Sequence, residues 1–164
     1  MTNMAQALLL LGSNDGDRKN YLENARFRIS VLTGKLTASS SIYETAPWGK
    51  EDQPPFLNQV VALETTLAPN LLLAALQAIE MSLGRISSPK WTTRTIDIDI
   101  LFYDHQIIDA LNLTVPHPAI TQRRFTLVPL SEIAPNFIHP TLKKTIATLL
   151  LECTDTLPVE KSKP

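Results

Sequence analysis

The 164-residue chain is poor in several of the groups that would commit a protein to a functional class. It has 1 cysteine, Cys153 in "LLLECTD". Neither an internal disulfide nor a cysteine-based metal site can form, and the chain suits a reducing compartment. No basic neighbour activates that thiol, so it reads as a small packed residue near a helix end. An excess of charge of one sign is also missing, since 15 Lys and Arg stand against 16 Asp and Glu for a formal net charge of -1. Proteins that grip nucleic acid or anionic membranes carry surplus cations, so neither partner is expected and any phosphate must be met by a local cluster. Long apolar runs are absent as well. "MTNMAQALLLLGSN" holds only four successive leucines and no basic leader, too little for a signal segment or a membrane span, and a cytoplasmic protein is expected. Glycine is sparse, and neither G-x-x-x-x-G-K-[ST] nor G-x-G-x-x-G occurs. "GSNDGDRK" has the wrong spacing for a phosphate loop, so phosphates would be bound by side chains and metal, and Gly12 reads as a turn residue at a strand end.

What is present describes one ordinary globular domain spanning residues 1–164, with 44% apolar and 19% charged residues and a polar tail from about residue 155 expected to fray. "ALLLLGSN" reads as a buried strand stopped by turn residues. Helical spacing follows, with Leu22, Ala25, Ile29 and Leu32 on one face, Asp17 as N-cap and Gly34 after the end. "KLTASSSIYET" and "FLNQVVALETTL" read as two strands separated by the proline-bearing loop "APWGKEDQPP". Pro69 opens a second helix that runs to Gly84, with Gln77 and Glu80 on one polar strip. After the loop "RISSPKWTTR" comes the strand in "RTIDIDILFYD". The order strand, helix, strand, strand, helix, strand is the split βαβ pattern, an α+β fold in which two helices cover one face of an antiparallel sheet. "HQIIDALNLTVPHP" suggests a hairpin or short strand, "TQRRFTLVPLSEIAP" a short helix, and "LKKTIATLLLE" a last one.

Asp97 and Asp99 are the unusual feature. Strands disfavour aspartate, and an unpaired buried charge is costly. Residues two apart on a strand share a face, which places the two carboxylates about 6.6–6.8 Å apart along the strand, while Ile96, Ile98 and Ile100 point the other way. An acidic, half-exposed outer face would account for any isolated D-x-D. Here the like charges repel and cations flank them, and magnesium answers both facts: it takes hard oxygens from one or two carboxylates and completes its shell with phosphate and water. Two such ions, about 3.5–4 Å apart, suit this spacing. The cations are Arg85, Lys90 and Arg94 in the preceding loop, with Arg123 and Arg124 later; arginine forks match phosphate oxygens. Trp48, Phe56 and Phe125 are aromatics of the kind that usually pack in a core. Two rings with an amide such as Asn58 between them could instead hold a flat heterocycle by its faces while the amide reads its edge.

These residues together resemble the 6-hydroxymethyl-7,8-dihydropterin pyrophosphokinases of folate biosynthesis. The likeness runs over roughly residues 7–140, through "LLLGSN", "YETAPWG", "QPPFLNQVV", "LGR", "RTIDIDILFYD", "LTVPHP" and "RRFTLVPLSEIAP". It implies a ferredoxin-like βαββαβ core with a C-terminal extension, and transfer of the pyrophosphoryl group of ATP to the pterin hydroxymethyl group, leaving AMP. By resemblance, Asp97 and Asp99 hold two magnesium ions, and Arg85 and Arg94 clamp phosphates from a mobile loop. Gln77, Glu80, Ile100, Thr114, His117 and Arg123 fall at ATP-binding positions along with Arg85, Trp91 and Arg94. Phe56 and Phe125 sandwich the pterin, whose edge is read by Asn58 and the backbone around Thr45, Ala46 and Trp48; Trp91 closes over the site, and Asp97 also meets this substrate. The implied partners are small molecules only, and the chain is expected to be a monomer. Where the family commonly reads Trp-Gly-Pro-Arg, this chain has Trp91-Thr92-Thr93-Arg94, and Asn112 stands where some members have a basic residue.

Two other readings fit parts of the pattern. A ferredoxin-like regulatory or RNA-binding module would share the topology and leave the D-x-D unexplained. A magnesium-dependent nucleotidyltransferase could use the same acidic pair and would release pyrophosphate rather than AMP.

Overall fold

A computed structural model describes residues 3–47, 52–84 and 95–163. The nine-residue strand β1 (Ala5–Ser13) is buried almost throughout, as its unbroken leucines require of a strand covered on both faces. Helix α1 (Arg18–Leu32) starts as expected, with the Asp17 carboxylate accepting the Asn20 N–H at 3.2 Å. Its inner face is Leu22, Ala25 and Ile29; Leu32 lies at the helix end and is 60% exposed, so it falls off that face. Gly34 follows because the strand Phe56–Thr65 runs against it: a Cβ there would meet the Glu64 carbonyl oxygen at 2.0 Å.

The single strand expected over residues 35–45 is two, β2 (Lys35–Ser39) and β3 (Tyr43–Thr45). The break has a cause, because Ser40 turns its hydroxyl to accept the Val60 N–H at 3.0 Å, and Ser41 is held by Glu132 through both its N–H and its hydroxyl. Both pair with the long strand β4 (Phe56–Thr65). Helix α2 (Pro69–Ser82) begins with Pro69 in its first turn, where a missing N–H costs nothing. Strand β5 (Asp97–Tyr103) is followed by the expected hairpin, β6 (Ile108–Asp109) and β7 (Thr114–Val115), then a 3-10 turn at Ile120–Gln122, helix α3 (Arg124–Ile133) and helix α4 (Ile146–Glu152). The tail does not fray: β8 (Val159–Lys161) pairs antiparallel with β3.

The sheet order is β5-β1-β4-β3-β8, with β2 also on β4 and every pairing antiparallel. The elements from β1 to β5 follow the ferredoxin-like βαββαβ order, with β2 and β3, which both pair with β4, as one broken strand. One face packs Leu9, Leu11, Val61 and Ile98 under α1 and α2. The other packs Leu8, Leu10, Val60 and Leu101 under α3 and α4, so the C-terminal extension supplies a second helical layer where one was expected. A bulge between Leu8 and Leu9 leaves Leu101 without an opposite residue on β1. Leu101 and the next residue, Phe102, therefore share the α3–α4 core, while Ile98, Ile100 and Tyr103 lie in the other. Upstream of the bulge the alternation is undisturbed, and Asp97 and Asp99 stand on the α3–α4 face.

Candidate active site

One row of the sheet assembles the site. Asp97 on β5 stands opposite Gly12 on β1, Gly12 opposite Asn58 on β4, and Asn58 opposite Tyr43 on β3. Directly opposed residues present their side chains to one face, so Asp97, Asn58 and Tyr43 point the same way, and Asp99, opposite Leu10, joins them one step along. Gly12 is not the turn residue the sequence suggests but lies inside β1. Its missing side chain is filled by a neighbour: a Cβ there would come within 2.7 Å of the Asn58 Oδ1 and 3.6 Å of Phe56. Asn58, 4% exposed, donates from Nδ2 to the Thr45 hydroxyl at 2.7 Å, which fixes its amide. The amide and the Phe56 ring thus close over Gly12, in the same row of the sheet as Asp97.

Arg123 and His117 reach the same place from the C-terminal extension. Burial lowers the Arg123 pKa, opposed by the nearby carboxylates of Asp99 and Asp97. The guanidinium also lies over the Phe125 ring, 5.6 Å from its centroid. His117 is tied to β5 by its N–H, which donates to the Leu101 carbonyl at 3.0 Å. Burial, then the Arg123 charge, pushes its imidazole down to about 4 against the pull of Asp97. It is neutral at physiological pH, and because Nδ1 accepts the Ala119 N–H at 3.3 Å, its one proton sits on Nε2.

Beside the edge of β5 runs a groove of about 770 Å³ between α2 and the β6–β7 hairpin, with Leu73, Gln77, Ile108, Asn112 and Leu113 among its lining. Gln77 is exposed to it, but Glu80 does not share that polar strip. Glu80 turns inward, 4% exposed, and accepts the N–H of Ile98 at 3.2 Å, closing a backbone donor on the sheet's edge strand. Ile100 is buried in the α1–α2 core, so only its backbone is available to a ligand; Thr114 is exposed on β7. Thr45 is buried and Ala46 is half-buried, its N–H donating to the Pro158 carbonyl at 3.4 Å. Trp48, Arg85, Trp91 and Arg94, and with them the Thr92–Thr93 pair, lie outside the described residues.

The structure adds residues that the sequence pattern did not single out. Asn14, 2% exposed, donates to the Gln53 side chain at 3.1 Å and to the Pro54 carbonyl at 3.3 Å, and Arg18 donates to the Pro55 carbonyl at 3.0 Å. Together they anchor the chain just before Phe56. Glu132 on α3 accepts from the Tyr43 hydroxyl at 3.0 Å as well as from Ser41, and so ties β3 to the helix that carries Phe125. A carboxylate inside an otherwise apolar helical run, "LVPLSEIAP", was the signal available for Glu132.

A model of the 7,8-dihydro-6-hydroxymethylpterin-pyrophosphokinase family matches residues 8–135. The chain is similar to the 2-amino-4-hydroxy-6-hydroxymethyldihydropteridine pyrophosphokinases of Methylorubrum extorquens, at 40% identity over 89% of this chain and 94% of that protein, and of Aquifex aeolicus, at 42% over 86% and 88%. The corresponding Bacillus subtilis protein is 45% identical over 77% of each chain. Among solved structures, the Plasmodium falciparum HPPK-DHPS wild type with pteroate has the same fold, with a TM-score of 0.76 at 18% identity. The match covers 92% of this chain and 42% of that one, so the chain spans less than half the length of that solved protein. The chain belongs to the 7,8-dihydro-6-hydroxymethylpterin-pyrophosphokinase family.

Proposed function

We propose that this pyrophosphokinase moves the pyrophosphoryl group of ATP to the hydroxymethyl oxygen of 6-hydroxymethyl-7,8-dihydropterin, with two magnesium ions at Asp97 and Asp99. A bond forms between the hydroxymethyl oxygen and the β-phosphorus, the bond from the β-phosphorus to the oxygen bridging it to the α-phosphorus breaks, AMP leaves with that bridging oxygen, and the hydroxyl proton is released. The observation that carries the reading is the placing of Asp97 and Asp99 on one sheet face, with the Arg123 charge close enough to act on both and His117 close enough to feel Asp97.

The donor set fits the metal. Both carboxylates are half-exposed and share a face, and among the described residues no group of three or more His, Cys, Asp or Glu side chains is placed to hold an ion. Two carboxylates with room for phosphate and water suit magnesium better than zinc or calcium. Bound there, magnesium would neutralise phosphate charge and hold the phosphate oxygens beside the pterin hydroxyl.

The rest is positioning and electrostatics by the chain's own residues. The groove between α2 and the β6–β7 hairpin takes the adenosine end of ATP, between Leu73 and Leu113 with Gln77 at its edge. The chain leading out of that hairpin brings His117 to the acid pair, where its Nε2–H donates to a phosphate oxygen while Arg123 balances the charge. Arg85 and Arg94 add cations on the loop between α2 and β5. The pterin lies over Gly12 with Asn58 and Thr45 at its edge and Phe56 and Phe125 at its faces. Trp48, Ala46 and Trp91 complete that end.

On this reading the chain is a single catalytic domain, a monomer in the cytoplasm that binds small molecules rather than nucleic acid or membrane. Among the described residues no helix is long and apolar enough to cross a membrane. Product analysis tests the reaction: AMP should accumulate in step with pterin diphosphate, whereas release of inorganic pyrophosphate would mean nucleotidyl transfer instead.

A further inference from the structure

Helix α3 opens out of the site, and its start is anomalous. The N-cap position is Arg123, which gives the first turn no side-chain acceptor. Arginine suits that position poorly, because the guanidinium only donates and its charge opposes the positive end of the helix dipole. Its charge lies near the carboxylates of Asp99 and Asp97 instead. The acceptor comes from the tail. Asp155, 31 residues on, accepts the Arg124 N–H at 3.0 Å with one carboxylate oxygen and the Leu157 N–H at 3.0 Å with the other.

From Asp155 onward the chain straps the far edge of the sheet. The Ala46 N–H donates to the Pro158 carbonyl, β8 pairs with β3, the Ser162 N–H donates to the Ile42 carbonyl at 2.8 Å, and Lys161 lies 3.8 Å from Glu132 of α3. One segment therefore holds both β3, which carries Thr45, and the first turn of α3, which carries Phe125. It lies beyond the residues 8–135 that the family model matches.

We propose that Asp155 is a positioning residue for the transfer reaction: it caps α3 in place of Arg123, and so holds Arg123 at the acid pair and Phe125 against the pterin. The inference rests on the reading of Phe125 as a pterin contact. Without the cap, the first turn of α3 frays, while Leu127 and Leu130 keep the rest of the helix in the core.

The test measures the dissociation constant of the dihydropterin substrate, with magnesium and a non-hydrolysable ATP analogue, and the KM and kcat of the full chain. Asp155→Ala should weaken pterin binding roughly tenfold, and Asp155→Asn, which keeps an acceptor for the Arg124 N–H, should restore it to within about threefold. Thr145→Ala removes the cap of α4, whose hydroxyl accepts the Thr148 N–H at 3.2 Å; it should lower the melting temperature without changing pterin affinity. Phe125→Ala should weaken pterin binding in its own right. If Phe125→Ala binds as wild type does, the pterin reading fails and this inference with it. If Phe125→Ala is weak while Asp155→Ala is normal, or if Thr145→Ala weakens binding as much as Asp155→Ala, the role of Asp155 alone is overturned. Should Asp155→Ala not fold, Asp155→Ser, too short to reach both N–H groups, is read in the same way.

Discussion

Gly12 and Asn58 face each other across β1 and β4 so closely that the Asn58 amide occupies the place of a Gly12 side chain, 2.7 Å from where a Cβ would stand. Asn58 cannot simply swing aside, because its amide is buried and bonded to Thr45. Gly12→Ala should therefore displace the amide and weaken pterin binding by roughly tenfold, the scale of one lost buried hydrogen bond, with a smaller change in ATP affinity. Separate binding measurements for the two substrates check this; an equal effect on both would place Gly12 outside the pterin floor.

Glu132 joins α3 to the kink between β2 and β3. Burial alone would raise its pKa, but the Ser41 N–H and hydroxyl, the Tyr43 hydroxyl and the Lys161 charge together hold it below the usual carboxylate range. Burial and the same carboxylate push the Tyr43 phenol up to about 12. Glu132→Ala leaves the Ser41 and Tyr43 donors without this acceptor and should cost about 1–3 kcal/mol in chemical unfolding. Glu132→Gln, which keeps one acceptor oxygen, should cost less. Equal losses would mean that packing, not hydrogen bonding, sets the value.

His139 makes the fold sensitive to acid. Its Nδ1 accepts the N–H groups of Thr141 and Leu142 at 3.2 and 3.1 Å, its ring meets Phe102 edge-on, and burial lowers its pKa. The unfolded chain takes up this proton near pH 6.5 while the folded chain resists it, so protonation favours unfolding. His117, pushed down to about 4, acts in the same direction. Stability should be full above about pH 6.5 and fall as the pH drops toward 4. His139→Asn, which keeps an acceptor and loses the titration, should melt lower at pH 7.5 yet lose less on going to pH 5.5. Identical pH slopes in the two proteins would remove His139 from the explanation.

The sequence was most legible where periodicity and chemistry agreed. The alternation of Ile96, Ile98 and Ile100 with Asp97 and Asp99 placed the acid pair on one face, and the structure has it there. Asp17, Pro69 and the hairpin after β5 were readable from local rules of capping and turn formation. What escaped was set by distant partners. Ser40 and Ser41 look like ordinary strand residues until Val60 and Glu132 bond them, and the polar tail is ordered because β3 offers it an open edge. Glu80 reads as surface because its partner, the Ile98 N–H, is exposed only by the edge position of β5. Gly12 carries no signal at all without its neighbour across the sheet.

The central claim is that Asp97 and Asp99 hold the magnesium on which transfer depends. AMP formation from ATP and the hydroxymethyl-dihydropterin, titrated with magnesium in wild type, Asp97→Asn and Asp99→Asn, tests it directly. Each variant should melt within a few degrees of wild type, lose at least about a hundredfold in turnover, and need far more magnesium for what remains. Near wild-type turnover in either variant at the same magnesium concentration would contradict the assignment.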